Sequence, residues 1–473
     1  MSGNGAAVAV EAAPLLARGT TLVRRLGLRA GDRMAVVLGN DPSTFGVLAA
    51  ACLDGVVPVP LPPDLAVAEI GEVLDDAEPH VVLTSPAAAA SLTAHHRHVE
   101  TLTPDEFAAL PATDPAASWP RTRPMSYTSG TTGRRKGVYV GVHDAAWGQA
   151  IVDDEHAAFD RRHGEVHLVV SPLYHAAPFR FALVTALLGG RIAVLPRFDA
   201  TRWSQALREV RPTSLFCVPT QLHRLLAASE APVDDLASLQ LLAHAGAPCP
   251  VPLKERVLEL APDGAVWEFY GSSEGQFTTC PPDVWRSAPG TVGTARPGRR
   301  LEIRDDDEQV LAPGEVGTVW VHAPEHARFA YWGDQEKTAR AWDGDAFTVG
   351  DLGSLDANGR LSLSGRPGDL VITGGVNVYP AEVERHLLEQ HGVAEAVVFG
   401  VADDDWGERL VAAVVPWPDA DIDGAALRTV LAERLAPAKV PKAVLVVDEL
   451  PRTPLGKVRR ADRALETLWE RYG

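Results

Sequence analysis

The segment YTSGTTGRRKGV, residues 127–138, holds the densest phosphate-binding chemistry in the chain. Thr128, Ser129, Thr131 and Thr132 supply hydroxyl donors. Gly130 and Gly133 let backbone N–H groups approach an anion closely, and Lys136 adds an ammonium. A Walker-type loop needs Gly-Lys followed by Ser or Thr; here Arg135 precedes Lys136 and Gly137 follows, so the loop is of another kind. Composition alone leaves a glycine-rich surface turn equally open. The chain has six lysines against 38 arginines. Where arginine is the default cation, a compact ammonium beside glycines marks a place that a guanidinium would not fit.

This loop closely resembles the phosphate loop of the adenylate-forming superfamily: acyl-CoA synthetases, aryl-CoA ligases, luciferases and peptide-synthetase adenylation domains. Further motifs of that superfamily follow in chain order, and the resemblance runs from about residue 20 to 465. It implies that Thr128, Ser129, Gly130, Thr131, Thr132, Gly133 and Lys136 hold the phosphates of ATP. HAGAP (244–248), with Gly246, Ala247 and Pro248, resembles the strand-end turn that lies against the adenine. EFYGSSEG (268–275) resembles the segment in which Glu268, Phe269, Tyr270, Gly271, Ser272 and Ser273 meet the nucleotide. There Tyr270 is implied to flank the adenine and Glu274 to bind magnesium, with Thr128 as a second ligand. Asp351 in FTVGDLG (347–353) and Arg366 in GRPGDLVITGGVNVYPAEVE (365–384) are implied to hold the ribose. Gly374 and Gly375 are implied to approach the pantetheine of CoA, and Lys457 in PRTPLGKVRR (451–460) to serve adenylation. His175 in SPLYHAAPFRFAL matches a position that gates the thiol tunnel beside the acyl pocket, a packed histidine being the alternative. The small residues Ala176, Ala177 and Ala182 nearby hint at room for a bulky or cyclic acid.

Elementary chemistry is consistent with these roles. A carboxylate attacking the α-phosphorus must overcome anionic repulsion, which calls for magnesium and a cation near the attacking oxygen. Glu274 offers hard oxygen ligation, Asp351 can accept two ribose hydroxyls, and Lys457 is a mobile point charge. Several departures stand out. Arg135 replaces the usual proline and would loosen the loop, Ser273 and Val349 replace threonines, and Gly368 stands where the family keeps Asp or Lys as its hinge. Glycine followed by Asp369, after the rigid Pro367, concentrates rotation at that pair. The loop also begins early, implying a shortened leading segment that bears on an edge element or a homodimer surface.

The elements that must position these groups alternate in type. Met34–Leu38, 56–61, 80–84, 191–195 and 213–218 read as strands, and 42–54, 65–77, 181–189 and 201–210 as helices, the first capped by Asp41 and ended by Gly55. Such alternation predicts an α/β fold of parallel sheets. Residues 111–124 are proline-rich and read as a linker. From about 290 to 365 short alternating runs predict a β-rich subdomain. Residues 366–473 predict a small, mobile α+β domain with helices at 381–390 and 424–435 and strands near 396–401, 410–416 and 443–448. The large N-terminal domain then spans 1–365.

Sixty-two acidic against 44 basic residues, a net charge of −18, argue against a nucleic-acid partner. No apolar run approaches a membrane span, and the start lacks a signal-peptide pattern, so the expected location is cytoplasmic. Cys52, Cys217, Cys249 and Cys280 lie too far apart for a zinc or disulfide framework. His163 and His167 are spaced i, i+4, but a strand there would point their rings apart. His95, His96 and His98 read as a polar surface patch. The expected protein is therefore an acid–thiol ligase using ATP, Mg2+ and CoA, with acyl-AMP formed first and a thioester second. Loading of an acyl carrier protein is the alternative; seven basic against three acidic residues in 437–463 would suit either acceptor. A non-catalytic nucleotide binder would be expected to lack Glu274, Asp351 or Lys457, and all three are present.

Overall fold

The structure, a computed structural model, describes residues 7–128, 135–229, 231–373, 376–403, 406–418, 420–452, 458–459 and 464–472. The chain's first half obeys its local signals. Asp41 caps the helix Pro42–Asp54 by accepting from the Ser43 N–H, and Pro42 occupies a first turn where no N–H is needed. Gly55 ends the helix in the left-handed region, at φ 83°. That helix packs so closely on Ala12–Arg25 that a Cβ at Gly46 would stand 2.7 Å from the Leu15 carbonyl oxygen.

Two parallel sheets result. In the first the spatial order is Val57–Pro60, Arg33–Val37, Val81–Thr84, Val99–Thr101. In the second it is Arg191–Val194, Val166–Val169, Ser214–Cys217, Leu241–His244, Val266–Glu268, with Val10–Glu11 antiparallel at one edge. Apart from the edge strand Val99–Thr101, their parallel strands are largely apolar and buried because helices cover both faces. The β-rich region follows, with Gly317–His322 pairing antiparallel to Arg300–Arg304, Ala346–Phe347 and Leu352–Leu355. One long-range pairing places the site. Ala330–Tyr331 joins the hairpin of Ser126–Thr128 and Lys136–Tyr139, so the β-rich region carries one edge of the phosphate-loop hairpin. The C-terminal unit packs Pro380–Leu388 and Gly424–Arg434 on a sheet built around the hairpin Val393–Asp403 and Gly407–Pro416.

Three sequence expectations need correction. The helix expected at 181–189 is Ala176–Leu187, because Pro178 falls in its first turn and is tolerated there instead of delaying the start. The C-terminal hairpin strands are longer than expected, Val393–Asp403 at both ends and Gly407–Pro416 at its start. Ala182 does not face an acyl pocket: it is fully buried in the core with Phe45, Leu173 and Phe179. His167 lies on a strand, its Nδ1 3.0 Å from Ser214 Oγ, as the strand reading requires. His96 is less idle than a surface patch implies, its Nε2 lying 2.8 Å from the Pro79 carbonyl oxygen.

Candidate active site

Local rules first place the phosphate-loop hairpin. The Tyr127 hydroxyl donates to Asp76 at 2.6 Å, and the Trp332 indole N–H donates to the Asp76 carbonyl at 3.0 Å. Both bonds fix the hairpin and its neighbour strand to the helix Val67–Ala77. Arg135 Nη2 donates to Glu69 Oε1 of that helix at 2.5 Å, an ion pair that ties down the chain where it leaves the loop. Arg135, which stands where the family has proline, thus supplies an anchor of its own. Ser129, Gly130, Thr131, Thr132 and Gly133 lie outside the described residues, as does the Thr128 side chain, while the Thr128 backbone pairs with Lys136.

Glu274 projects from a tight turn. Gly271 bridges Gln276, and the Ser272 N–H donates to the Gly275 carbonyl at 2.8 Å. A Cβ at Gly271 would meet that carbonyl oxygen at 2.6 Å, so the turn requires glycine. The Glu274 carboxylate is buried and accepts from Ser272 Oγ at 2.7 Å and from the Tyr331 hydroxyl at 2.9 Å. Lys136 Nζ lies 5.0 Å from the centroid of the Tyr331 ring. Burial and the neighbouring Lys337 ammonium push the Lys136 amine down to about 8.

Asp351 is the second focus. Its Oδ2 accepts from the Tyr270 hydroxyl at 2.5 Å and its Oδ1 from Arg366 Nε at 2.6 Å. The Tyr270 ring packs edge-on against Phe277 in the β-rich core, and burial together with Asp351 pushes its phenol well above the ordinary value. Residues implied for adenine and ribose are thus joined directly. Gly246, Ala247 and Pro248 form an exposed turn just beyond the buried strand Leu241–His244. Against that strand lies a cluster of which the sequence reading named Glu268 but not Lys254. Lys254, fully buried, donates to His244 Nε2 and stands 3.4 Å from Glu268 Oε2. Burial pushes Glu268 up and His244 well down, so the imidazole is neutral and accepts the lysine proton. Phe269 packs with Phe159, Phe181 and Phe216.

His175 sits at the N-cap of Ala176–Leu187, half-buried, its ring 4.7 Å from that of Tyr174. Gly368 and Asp369 lie in a 3-10 turn, Pro367–Asp369, and positive φ at this junction belongs to Gly365, at 108°. Gly374, Gly375 and Lys457 lie outside the described residues. Tyr331, Lys254 and Lys337 carried one legible signal, the scarcity of lysine, which marks two of them. Nothing in the sequence marked Tyr331.

A family model described as AMP-binding enzyme matches residues 16–332, and one described as AMP-binding enzyme C-terminal domain matches residues 382–457. The chain belongs to the AMP-binding enzyme family. This AMP-binding enzyme is 32% identical to the indoleacetate–CoA ligase of Aromatoleum aromaticum, over 96% of this chain and 91% of the relative. It is 32% identical to the feruloyl-CoA synthase of an Amycolatopsis species, over 97% and 94%. Its fold matches the ATP-bound crystal structure of MatB from Rhodopseudomonas palustris at a TM-score of 0.82 and 30% identity, over 98% of this chain and 92% of that one. As in those structures, a large N-terminal domain is followed by a small C-terminal one. The chain is an acid–thiol ligase of the AMP-forming kind, activating a carboxylic acid as acyl-AMP before transfer to a thiol. The family uses ATP and CoA, and the relatives include both CoA ligases and an acyl-carrier-protein ligase. Among the described residues, no helix of this AMP-binding enzyme is long and apolar enough to cross a membrane.

The donor set at Glu274 suits a hard divalent cation. A buried carboxylate is oriented by two hydroxyl donors, and no ion pair among the described residues neutralises it. Each oxygen keeps a lone pair for a metal, and the hydroxyls fix its direction.

Proposed function

We propose that this enzyme activates a bulky aromatic or cyclic carboxylic acid and passes it to CoA, with the following division of work. Lys136 and the loop residues Thr128, Ser129, Gly130, Thr131, Thr132 and Gly133 grip the ATP phosphates. Asp351 accepts from the ribose hydroxyls with Arg366 beside it. Tyr270, the turn Gly246–Pro248 and the segment 268–273 enclose the adenine. Glu274 and Thr128 would hold Mg2+, which supplies charge neutralisation for the phosphates. Lys457 approaches the attacking carboxylate oxygen and the α-phosphate, offsetting the repulsion between two anions. The carboxylate oxygen bonds to the α-phosphorus as the bond to the pyrophosphate oxygen breaks. In the second step the small domain, residues 366–473, turns about Gly368 and Asp369. Gly374 and Gly375 then line the pantetheine path, with His175 gating its inner end.

The observation that carries this reading is the joining of distant segments. Hydrogen bonds link Asp351 to Tyr270 and Glu274 to Tyr331, and Lys136 stands over the Tyr331 ring. The aromatic preference is supported by Ala177, partly buried against the Phe159, Phe181, Phe216 and Phe269 cluster two residues beyond His175. The indoleacetate and feruloyl specificities of two relatives agree with it. The test is pyrophosphate release over a panel of acids, followed by AMP release with CoA and, separately, with an acyl carrier protein. Aryl or cyclic acids should exceed acetate by more than about tenfold in kcat/KM, about 1.4 kcal/mol. A preference for acetate would end the substrate assignment, and turnover with the carrier alone would move the acceptor.

A further inference from the structure

Lys337 belongs to none of the motifs above. It lies in the short helix Gln335–Ala341, just after the strand Ala330–Tyr331. Its Nζ is 5.5 Å from the centroid of the Tyr331 ring, and Lys136 Nζ is 5.0 Å from the same centroid. The hydroxyl of that ring donates to Glu274. Two ammonium groups from distant parts of the sequence therefore share one aromatic ring, in front of a buried carboxylate. Among the described residues neither forms an ion pair, whereas Lys254 pairs with Glu268 and Lys439 with Glu382. Like charges so placed repel; the Glu274 carboxylate and the ring's negative face return part of that cost, but two ammonium groups face one carboxylate. The fold's nearby carboxylate accounts for one of these charges and leaves the other over. A dense polyanion accounts for both, since it turns the repulsion into joint attraction, and lysine serves well as a point-charge phosphate binder.

We propose that Lys337 is a second phosphate-binding cation, gripping with Lys136 the terminal phosphates of ATP and the pyrophosphate that leaves. The proposal rests on the reading of Lys136 as a phosphate ligand. Two adjacent ammoniums match the terminal phosphates better than the α-phosphate, because those phosphates carry most of the triphosphate's charge. They gain more when the α-phosphorus–oxygen bond breaks and its electron pair passes to the pyrophosphate oxygen. Lys337 is half-buried at the surface of the β-rich region, so its truncation leaves the core untouched.

The experiment measures magnesium-pyrophosphate and AMP binding, the ATP KM, and thioester formation from supplied acyl-AMP. The variants are Lys337→Ala, Lys337→Arg and Lys136→Ala. Lys337→Ala should weaken pyrophosphate binding and raise the ATP KM by about tenfold or more, the scale of one lost charged hydrogen bond. AMP binding and the thiol half-reaction should stay within about twofold, and Lys337→Arg should recover most of the loss. Unchanged pyrophosphate binding in Lys337→Ala overturns the proposal, as does an equal loss of AMP binding. If Lys136→Ala weakens pyrophosphate binding and Lys337→Ala does not, the proposal alone falls. If Lys136→Ala also leaves it intact, the phosphate-loop reading falls and takes the proposal with it.

Discussion

Behind the helices Ala145–Phe159 and Ala176–Leu187, buried charges meet partners of opposite sign. Arg296 reaches both Asp154 and Glu155, Arg299 forks across Asp154, Arg180 stands 3.2 Å from Glu155, and Arg161 forks onto Glu165. Burial works against ionisation at Asp154, yet hydrogen bonds from His326 and Arg299 and the charge of Arg296 hold its carboxyl well below the usual range. Beside the strand Ala330–Tyr331, Lys136 and Lys337 lean on one tyrosine, and Glu274 receives hydroxyls. Most charges of the first region are ion-paired within the fold, whereas Lys136 and Lys337 form no ion pair among the described residues. On the proposed reading, a structural network and a ligand site differ in whether the counter-charge belongs to the chain.

The comparison can be broken most forcefully at Arg296. Arg296→Ala leaves Asp154 and Glu155 short of a cation in a buried setting, and should cost about 3–5 kcal/mol in urea denaturation. The sign with pH is defined. A depressed Asp154 value means that its stabilisation is present above the unfolded value, 3.8, and is lost as pH falls through and below it. Wild type should therefore lose stability more steeply than Arg296→Ala between about pH 5 and 2. Equal slopes, or a loss below about 1 kcal/mol at pH 7, would place this network outside the stability of the fold.

Lys457→Ala should show the opposite pattern. Acyl-AMP formation should fall by about 10²–10³, as for other lost electrostatic groups, while thioester formation from supplied acyl-AMP and the melting temperature hold. Parallel loss in both half-reactions would sink the assignment of Lys457 to the first step.

Tyr331→Phe sharpens the comparison further. Removing one donor to Glu274, worth about 0.5–1.5 kcal/mol, should raise the magnesium midpoint for pyrophosphate release up to about tenfold with little effect on melting. An unchanged midpoint with a clear drop in melting temperature would move Glu274 into the structural class.

The junction between the domains carries the smallest effects. Gly365→Ala should cost about 1 kcal/mol because φ 108° disfavours a side chain. Gly368→Ala, which meets nothing within 4 Å and has no positive φ, should stay within about 0.5 kcal/mol. Gly368→Pro tests the hinge itself: one half-reaction should persist while the other collapses, and normal rates in both would relocate the pivot.

Much of the fold was legible because its signals are local. Asp41, Pro42 and Gly55 bound a helix that their own chemistry specifies, and short apolar runs announce five of the nine parallel strands among the described residues. The Ala176 helix start was missed because a proline in a first turn looks the same in sequence as a proline before a helix. Ala182 was misread because small residues line pockets and tight cores alike; helix phase against the neighbouring helix decides which, and that is a tertiary fact.

The amino-acid sequence by itself determined the chemical inventory: a hydroxyl- and glycine-rich loop, carboxylates at 274 and 351, a scarce set of lysines and the alternation that builds parallel sheets. Those depend on residue type and short spacing, which a linear chain displays. Tertiary structure alone decided which charges meet. The pairing of Ala330–Tyr331 with the loop hairpin brought Tyr331 and Lys337 to Lys136 and Glu274, and packing put Lys254 against His244 and Glu268. Coulomb and hydrogen-bond terms act over a few ångströms of space, and the separation in sequence between such partners carries no trace of that distance.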